Sequence, residues 1–299
     1  MTVRFSKLGS IAALFALVGW VRCSYAQSEG VVVVLSSESG PYEEALAGFR
    51  ESFSQPFATL VLSKGDPDIP KSTRLIVAIG GKAAMYPYEA GRVPFIYCVA
   101  PSVYANRDQH TGPQTKVYVS PPPRILLQKL QELQPGLRRL GALWVGESAL
   151  TYGPALKQEG ERLGVTVLTE RLKSPDELPD YLRAIKGRAD ALWIAPDPQL
   201  ITPKSFSIMR QFALDNAIPL YASIDGLADK GAAASVSVGF HEMGRKAGVL
   251  AAQVLAGSGD RSSAAYGDQV LVTINTAAAA QSGLSIPAEI LNKADRVIR

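Results

Sequence analysis

The sequence predicts an α/β protein of two lobes, each built on a parallel sheet. Three observations predict it. Short apolar runs alternate with segments of helical period along almost the whole chain, the pattern of strand–helix–strand crossovers and hence of parallel sheets. The alternation comes in two series, parted by Pro121-Pro122-Pro123. A chain of 299 residues, 47% hydrophobic and 19% charged, also has the length and apolar content for two cores, unlike a disulfide-stapled or disordered chain.

In the first series, Val31 to Leu35 reads as a buried strand. A helix follows over Pro41 to Phe53, with Leu46, Phe49 and Phe53 on one face and the proline in the first turn, where no amide hydrogen is needed. Ala58 to Leu62, Leu75 to Ile79 and Phe95 to Val99 read as further strands, and Gly80-Gly81 leads from Ile79 into a short helix starting at Lys82. The triple proline then stops any continuing strand. In the second series, helix Arg124 to Leu133 ends at Pro135-Gly136. Strand Leu140 to Val145, helix Pro154 to Leu163, strand Val165 to Leu168 and helix Pro175 to Ile185 come next. Strand Ala191 to Ala195, helix Pro203 to Asn216 and strand Pro219 to Ala222 complete the series. Strand Ala233 to Val238 then precedes a long helix, His241 to Ala256, with Ala247, Leu250, Ala251, Val254 and Leu255 as its apolar face; the glycines from Gly257 stop it. Strand Val270 to Ile274 and a helix from Pro287 close the chain.

Arg4 and Lys7 precede the apolar run Leu8 to Val21, which is short of the ~18 to 20 residues that span a bilayer, and Ser24-Tyr25-Ala26 places small residues before a cut. Residues 1–26 are therefore expected to be a signal peptide cleaved after Ala26, exporting the chain to a periplasm; an uncleaved anchor is the alternative. Arg22 directly before Cys23 does not fit a lipoprotein box. Cleavage takes the basic residues from 31 to 28 against 27 acidic ones, so no surface built for nucleic acid is expected.

Only two histidines occur, His110 and His241, and neither sits at a metal-ligand spacing. No metal, no cofactor and no catalytic residue are expected. His241-Glu242 lacks a second histidine four positions on, and Ser37 lacks a nucleophile elbow. Cys98 lies in an apolar run and reads as a buried small hydrophobe.

Several blocks together resemble a known family. They are Gln128 to Leu143; Tyr42-Glu43-Glu44-Ala45 with Gly48-Phe49 after the opening strand; Ile76 to Ala84; Ala191 to Asp197; Gly231 to Gly257; and Asn275, Ala277 to Ala280 and Gly283 to Ile298 at the end. In this order they are similar to the substrate-binding proteins of ABC importers, in the branch that includes tryptophan- and phenylalanine-binding members. The resemblance implies a periplasmic binding protein type I fold: two Rossmann-like lobes joined by a three-strand hinge. Residues 27–121 with 239–268 are then expected to form lobe one, and 122–238 with 269–299 lobe two. It also implies a monomer that captures a small amino-acid-like or carboxylate solute between the lobes and delivers it to an ABC permease in the inner membrane.

Candidate ligand residues are those at strand ends, where open α/β sheets bind. Gly81 and the amides of Lys82, Ala83 and Ala84 open a helix whose N-terminus favours an anion, or else form a plain strand–helix turn. Asp197, between Pro196 and Pro198, matches an acidic residue that the family turns to a ligand's ammonium group, or else it ends a strand in a rigid turn. Ser36, Ser37, Ser148, Ser223 and Asp225 hold equivalent strand ends, and Tyr104 and Tyr152 are candidates for ring packing on a ligand. Two departures from the family stand out. The segment Ser63 to Thr73, with Pro67 and Pro70, is too short for the helix usual there, and Ala100-Pro101-Ser102 replaces an acidic residue before proline. A ligand-sensing adaptor that docks on an outer-membrane receptor or sensor kinase through the trimmed lobe is the alternative function, and a hydrolase using Ser37 a third.

Overall fold

The computed structural model describes residues 30–89, 92–101, 103, 111–146, 150–258 and 264–299. The leader region lies outside them, as do Tyr104, His110 and Ser148. The chain forms two sheets. A six-stranded sheet has the order β11-β5-β4-β3-β1-β2, made of β1 (Val31–Leu35), β2 (Ala58–Val61), β3 (Leu75–Ile79), β4 (Phe95–Cys98), β5 (Gln114–Val117) and β11 (Ala264–Ala265). All its pairings are parallel. The five residues of β1 and of β3 are all buried, as expected for central strands covered on both faces.

The second sheet has seven strands in the order β13-β12-β10-β9-β8-β6-β7. They are β6 (Arg139–Trp144), β7 (Thr166–Arg171), β8 (Ala191–Ile194), β9 (Leu220–Ala222), β10 (Ala234–Ser237), β12 (Leu271–Asn275) and β13 (Arg296–Ile298). One pairing departs from the all-parallel expectation: β12 runs antiparallel to β10. The chain leaves this sheet after β10 and re-enters it without a crossover helix on the same face, so nothing enforces the parallel sense.

The helices are α1 (Gly40–Ser52), α2 (Gly81–Met85), α3 (Pro123–Leu133), α4 (Tyr152–Leu163), α5 (Leu178–Ile185), α6 (Pro203–Asp215), α7 (Phe240–Leu255), α8 (Thr276–Gln281) and α9 (Ala288–Lys293). The expected helix from Pro175 begins as a 3-10 turn, Pro175–Glu177, before α5. Strands β5, β11 and β13 and helix α8 are additional to the sequence expectation. Helix α7 buries Ala247 and Ala251 as expected, but the face is centred on Glu242, Met243, Gly244 and Gly248, with Leu250, Val254 and Leu255 only partly covered. The reason is α1, which lies so close that a Cβ on Gly48 would overlap the His241 carbonyl and one on Gly244 the Ala45 carbonyl. Small residues therefore face the partner and larger ones flank the contact.

Between β2 and β3 a 3-10 turn, Leu62–Lys64, is the sole helical element, as the two prolines require. The sheet face opposite α1 and α7 is covered there by irregular chain, with Ile69, Tyr86 and Val93 packed on Val32, Ile76 and Tyr88. Among the described residues no helix is long and apolar enough to cross a membrane.

Candidate functional site

The C-terminal ends of both parallel sheets supply the candidate residues. After β1, the buried Ser36 accepts a 2.9 Å hydrogen bond at Oγ from the Ala83 amide. Gly80, with φ +103°, makes this possible, since a side chain there would collide with Ser36 Oγ and Tyr42. The Ala84 amide donates to the Gly80 carbonyl at 2.9 Å. The anion seat expected over Lys82, Ala83 and Ala84 is thus occupied by the protein itself: two of its three amides already have partners. The Lys82 side chain is exposed and Gly81 half-buried. Ser37 Oγ donates to Ser39 Oγ at 3.4 Å.

Asp197 is correctly placed after β8 but faces inward. It is 0% exposed; Oδ2 accepts from the amides of Val145 at 2.8 Å and Gly146 at 2.6 Å, and Oδ1 from Gln199 at 3.0 Å. The carboxylate clamps the exits of two neighbouring strands, β6 and β8, and is not presented to a ligand's ammonium group. Asp225 is likewise engaged elsewhere, in an ion cluster with Arg296 at 2.9 Å, alongside Asp229. Ser223 is buried at the end of β9, and its hydroxyl has no hydrogen-bond partner. Tyr152 is 2% exposed. Its hydroxyl donates to the Pro121 carbonyl at 2.7 Å, and burial holds its pKa well above the usual phenol value.

Both sheets converge on a narrow pocket of about 10 Å³, room for about one water. Pro101 comes from the loop after β4, Lys116 from β5, Tyr118 and Ser120 from the chain leaving it, Trp144 from β6, Tyr152 from α4, and Pro196 from the loop that Asp197 holds. Lys116 is 2% exposed, donates from Nζ to the Val103 carbonyl at 2.8 Å, and stands 5.1 Å from the Tyr118 ring centroid. The rings form a connected wall. Tyr118 stacks on Tyr266 at 5.0 Å, and Tyr152 on Trp193 at 5.8 Å, with Trp144 beside both members of the second pair. The Tyr118 hydroxyl shares a 3.0 Å hydrogen bond with Thr151 Oγ1, which joins the chain leaving β5 to the start of α4.

Sequence reasoning placed Tyr152 here but missed Lys116, Tyr118 and Trp144. The signal was present as the alternation Lys116-Val117-Tyr118-Val119: the valines pack in the core of the six-stranded sheet, and Tyr118 packs in that of the seven-stranded one. Among the described residues no group of His, Cys, Asp and Glu side chains is arranged to hold a metal.

A model of the ABC transporter substrate binding protein family matches residues 122–298, more than half of the chain. The chain belongs to that family. Family members bind substrates, so this is a substrate-binding protein and not an enzyme. Over 133 residues, 44% of this chain, it is 24% identical to a tyrosine-binding protein of Clostridioides difficile (strain R20291), and the match spans 38% of that relative's length. Among solved structures, the chain resembles an ABC domain in complex with L-Trp from Streptococcus pneumoniae, at 22% identity and TM-score 0.63, covering 91% of this chain and 100% of that one. It also resembles the ligand-free, open form of a substrate binding protein with adhesive properties from Clostridium difficile, at 17% identity and TM-score 0.60, covering 90% and 99%. At these identities the likeness is one of fold, periplasmic binding protein type I.

Proposed function

We propose that this substrate-binding protein captures a small aromatic amino acid or carboxylate between its lobes and delivers it to an ABC permease in the inner membrane. The protein works in the periplasm after loss of residues 1–26. Lobe one comprises 27–121 with 239–268, and lobe two comprises 122–238 with 269–299. One observation carries the reading: a buried cation, Lys116, and the aromatic groups Tyr118, Trp144 and Tyr152 surround one pocket fed by both sheets. The ammonium of Lys116 pairs with the ligand's carboxylate, and the rings pack on its body. The tyrosine-binding relative and the L-Trp complex support an aromatic solute. Lys116 takes over the anion-binding role expected of the amides at 82–84.

A thermal-shift screen of amino acids and small carboxylates on the mature chain, followed by calorimetry, tests the reading. Lys116→Met keeps the long apolar stem and deletes the charge, and should weaken the best ligand by about one to two decades, the value of a charge-assisted hydrogen bond. A folded Lys116→Met variant that binds as tightly as the parent removes Lys116 from the site.

A further inference from the structure

The exit of β4 carries a strained residue beside the interlobe pocket. Val99, the first residue after the strand, has φ +52°, in the left-handed region that suits glycine and is least open to a β-branched side chain. The packing shows what this turn does. Along β4 the side chains alternate, Phe95 and Tyr97 on one face of the six-stranded sheet and Ile96 and Cys98 on the other, with α1 and α7. Val99 joins Cys98 on the α1 and α7 face, and Ala100 then returns to the opposite one. An extended chain would have sent Val99 the other way, so the left-handed turn shifts the alternation by one residue. The Gly80 amide donates to the Cys98 carbonyl at 2.9 Å, which holds the strand up to the turn, and Val99 and Ala100 are both buried.

Strained backbone persists only where its surroundings over-determine it, and it gathers at ligand sites. Just beyond Val99, Pro101 lines the interlobe pocket and the Val103 carbonyl accepts from Lys116 Nζ at 2.8 Å. Without the shift, the residues after Val99 would leave the strand facing the opposite side.

We infer that Val99 is a positioning residue of the interlobe site. Its side chain, buried in the core under α1 and α7, anchors a left-handed turn that aims Pro101 at the pocket and the Val103 carbonyl at Lys116. It thereby sets where the Lys116 ammonium stands to meet a carboxylate, an inference that rests on the role proposed above for Lys116. Glycine would take the turn without strain but would leave it unanchored.

Val99→Gly tests this, with Val99→Ile as the conservative variant that keeps the anchor. Acetylation of the folded mature chain, read by mass spectrometry, needs no solute. With exposed Lys204 as internal standard, Lys116 should react at least about tenfold faster in Val99→Gly than in the parent, and at the parental rate in Val99→Ile. The buried Cys98 thiol should stay closed to a disulfide reagent in all three. In calorimetry with L-tryptophan as probe, affinity should fall about tenfold in Val99→Gly and hold in Val99→Ile. Parental labelling of Lys116 in folded Val99→Gly overturns the inference. Equal opening of Cys98 also overturns it, since the sheet has then loosened as a whole, and so does loss of Lys116 protection in Val99→Ile. Where Lys116→Met weakens L-tryptophan binding, parental affinity in Val99→Gly overturns it too. If Lys116→Met binds as tightly as the parent, or the parent does not bind L-tryptophan, the reading of the site or of its solute fails, and labelling alone decides whether Val99 holds Lys116.

Discussion

Asp197 carries three amide hydrogens on two oxygens in a fully buried position. Replacing it by Asn turns one acceptor into a donor that faces an amide and removes the charge that strengthens the remaining bonds. Asp197→Asn should therefore cost about 1.5 to 3 kcal/mol of stability, read as a lower urea midpoint. If the midpoint does not move and only ligand affinity falls, Asp197 belongs to the ligand after all. The sequence marked this residue as special, because an acid between two prolines at a strand end is a constrained position. Its partners were not legible, since Val145 and Gly146 are 52 and 51 positions away and come near only because β6 and β8 are neighbours in the sheet. The same holds for Ser36 and Ala83, which meet because β1 and β3 pair in parallel. Cys98 needed no partner to be read: it is buried, and burial pushes its thiol up to about 12.

At the scale of elements, local pattern was enough for fully apolar strands and for several helices, although the helix expected from Pro154 begins at Tyr152 and the one expected from Pro175 opens as a 3-10 turn. Val31–Leu35 and Leu75–Ile79 have the expected bounds, and α1, α3 and α6 begin within a residue of theirs. The misses have one physical cause. Strand β5 is short, contains a threonine and a lysine, and takes its cover from contacts distant in sequence, so neither propensity nor apolar content announces it. On α7 the expectation holds for Ala247 and Ala251 but not for Leu250, Val254 and Leu255, because periodicity ranks large residues first, whereas the close approach of α1 requires small ones. That contact gives a sharp expectation. In Gly244→Ala the added methyl meets the backbone carbonyl of Ala45, which cannot swing aside as a side chain can, so the helices must separate. The variant should lose about 1 to 3 kcal/mol, the range for overpacking a tight core. Thermal unfolding measures it, with Gly257→Ala as the contrast: Gly257, at φ +70° after α7, has open space around its Cβ direction, so its penalty is backbone strain without a clash.

At the scale of the molecule, the order of elements was legible in two series because each series repeats strand and helix. The return of the chain between them was less so, since α7 and β11 join the first sheet only after the second is nearly complete. In the division proposed above, that return brings the crossings near 121, 239 and 268 together: the Tyr118 amide donates to the Ala265 carbonyl at 2.8 Å, and Gly267 lies against Val238. Glu242, at the start of α7, accepts from the Asp268 amide at 2.7 Å and pairs with Arg245, so the second and third crossings are pinned to each other. Tyr152 pins α4 to the first crossing through Pro121. In the closure proposed above, bending falls on the strip between the two sheets. The pocket between them, about 10 Å³, is far too small for an amino acid, so the capture proposed above needs the lobes to part and then to close on the solute. Solution scattering should accordingly give a free protein with a larger radius of gyration than the ligand-saturated one. A radius that does not change on saturation, with binding confirmed by calorimetry, would mean that the lobes do not move as units. The solute must then enter by rearrangement of Trp144, Tyr118 and Tyr152, and the delivery cycle proposed above loses its moving part.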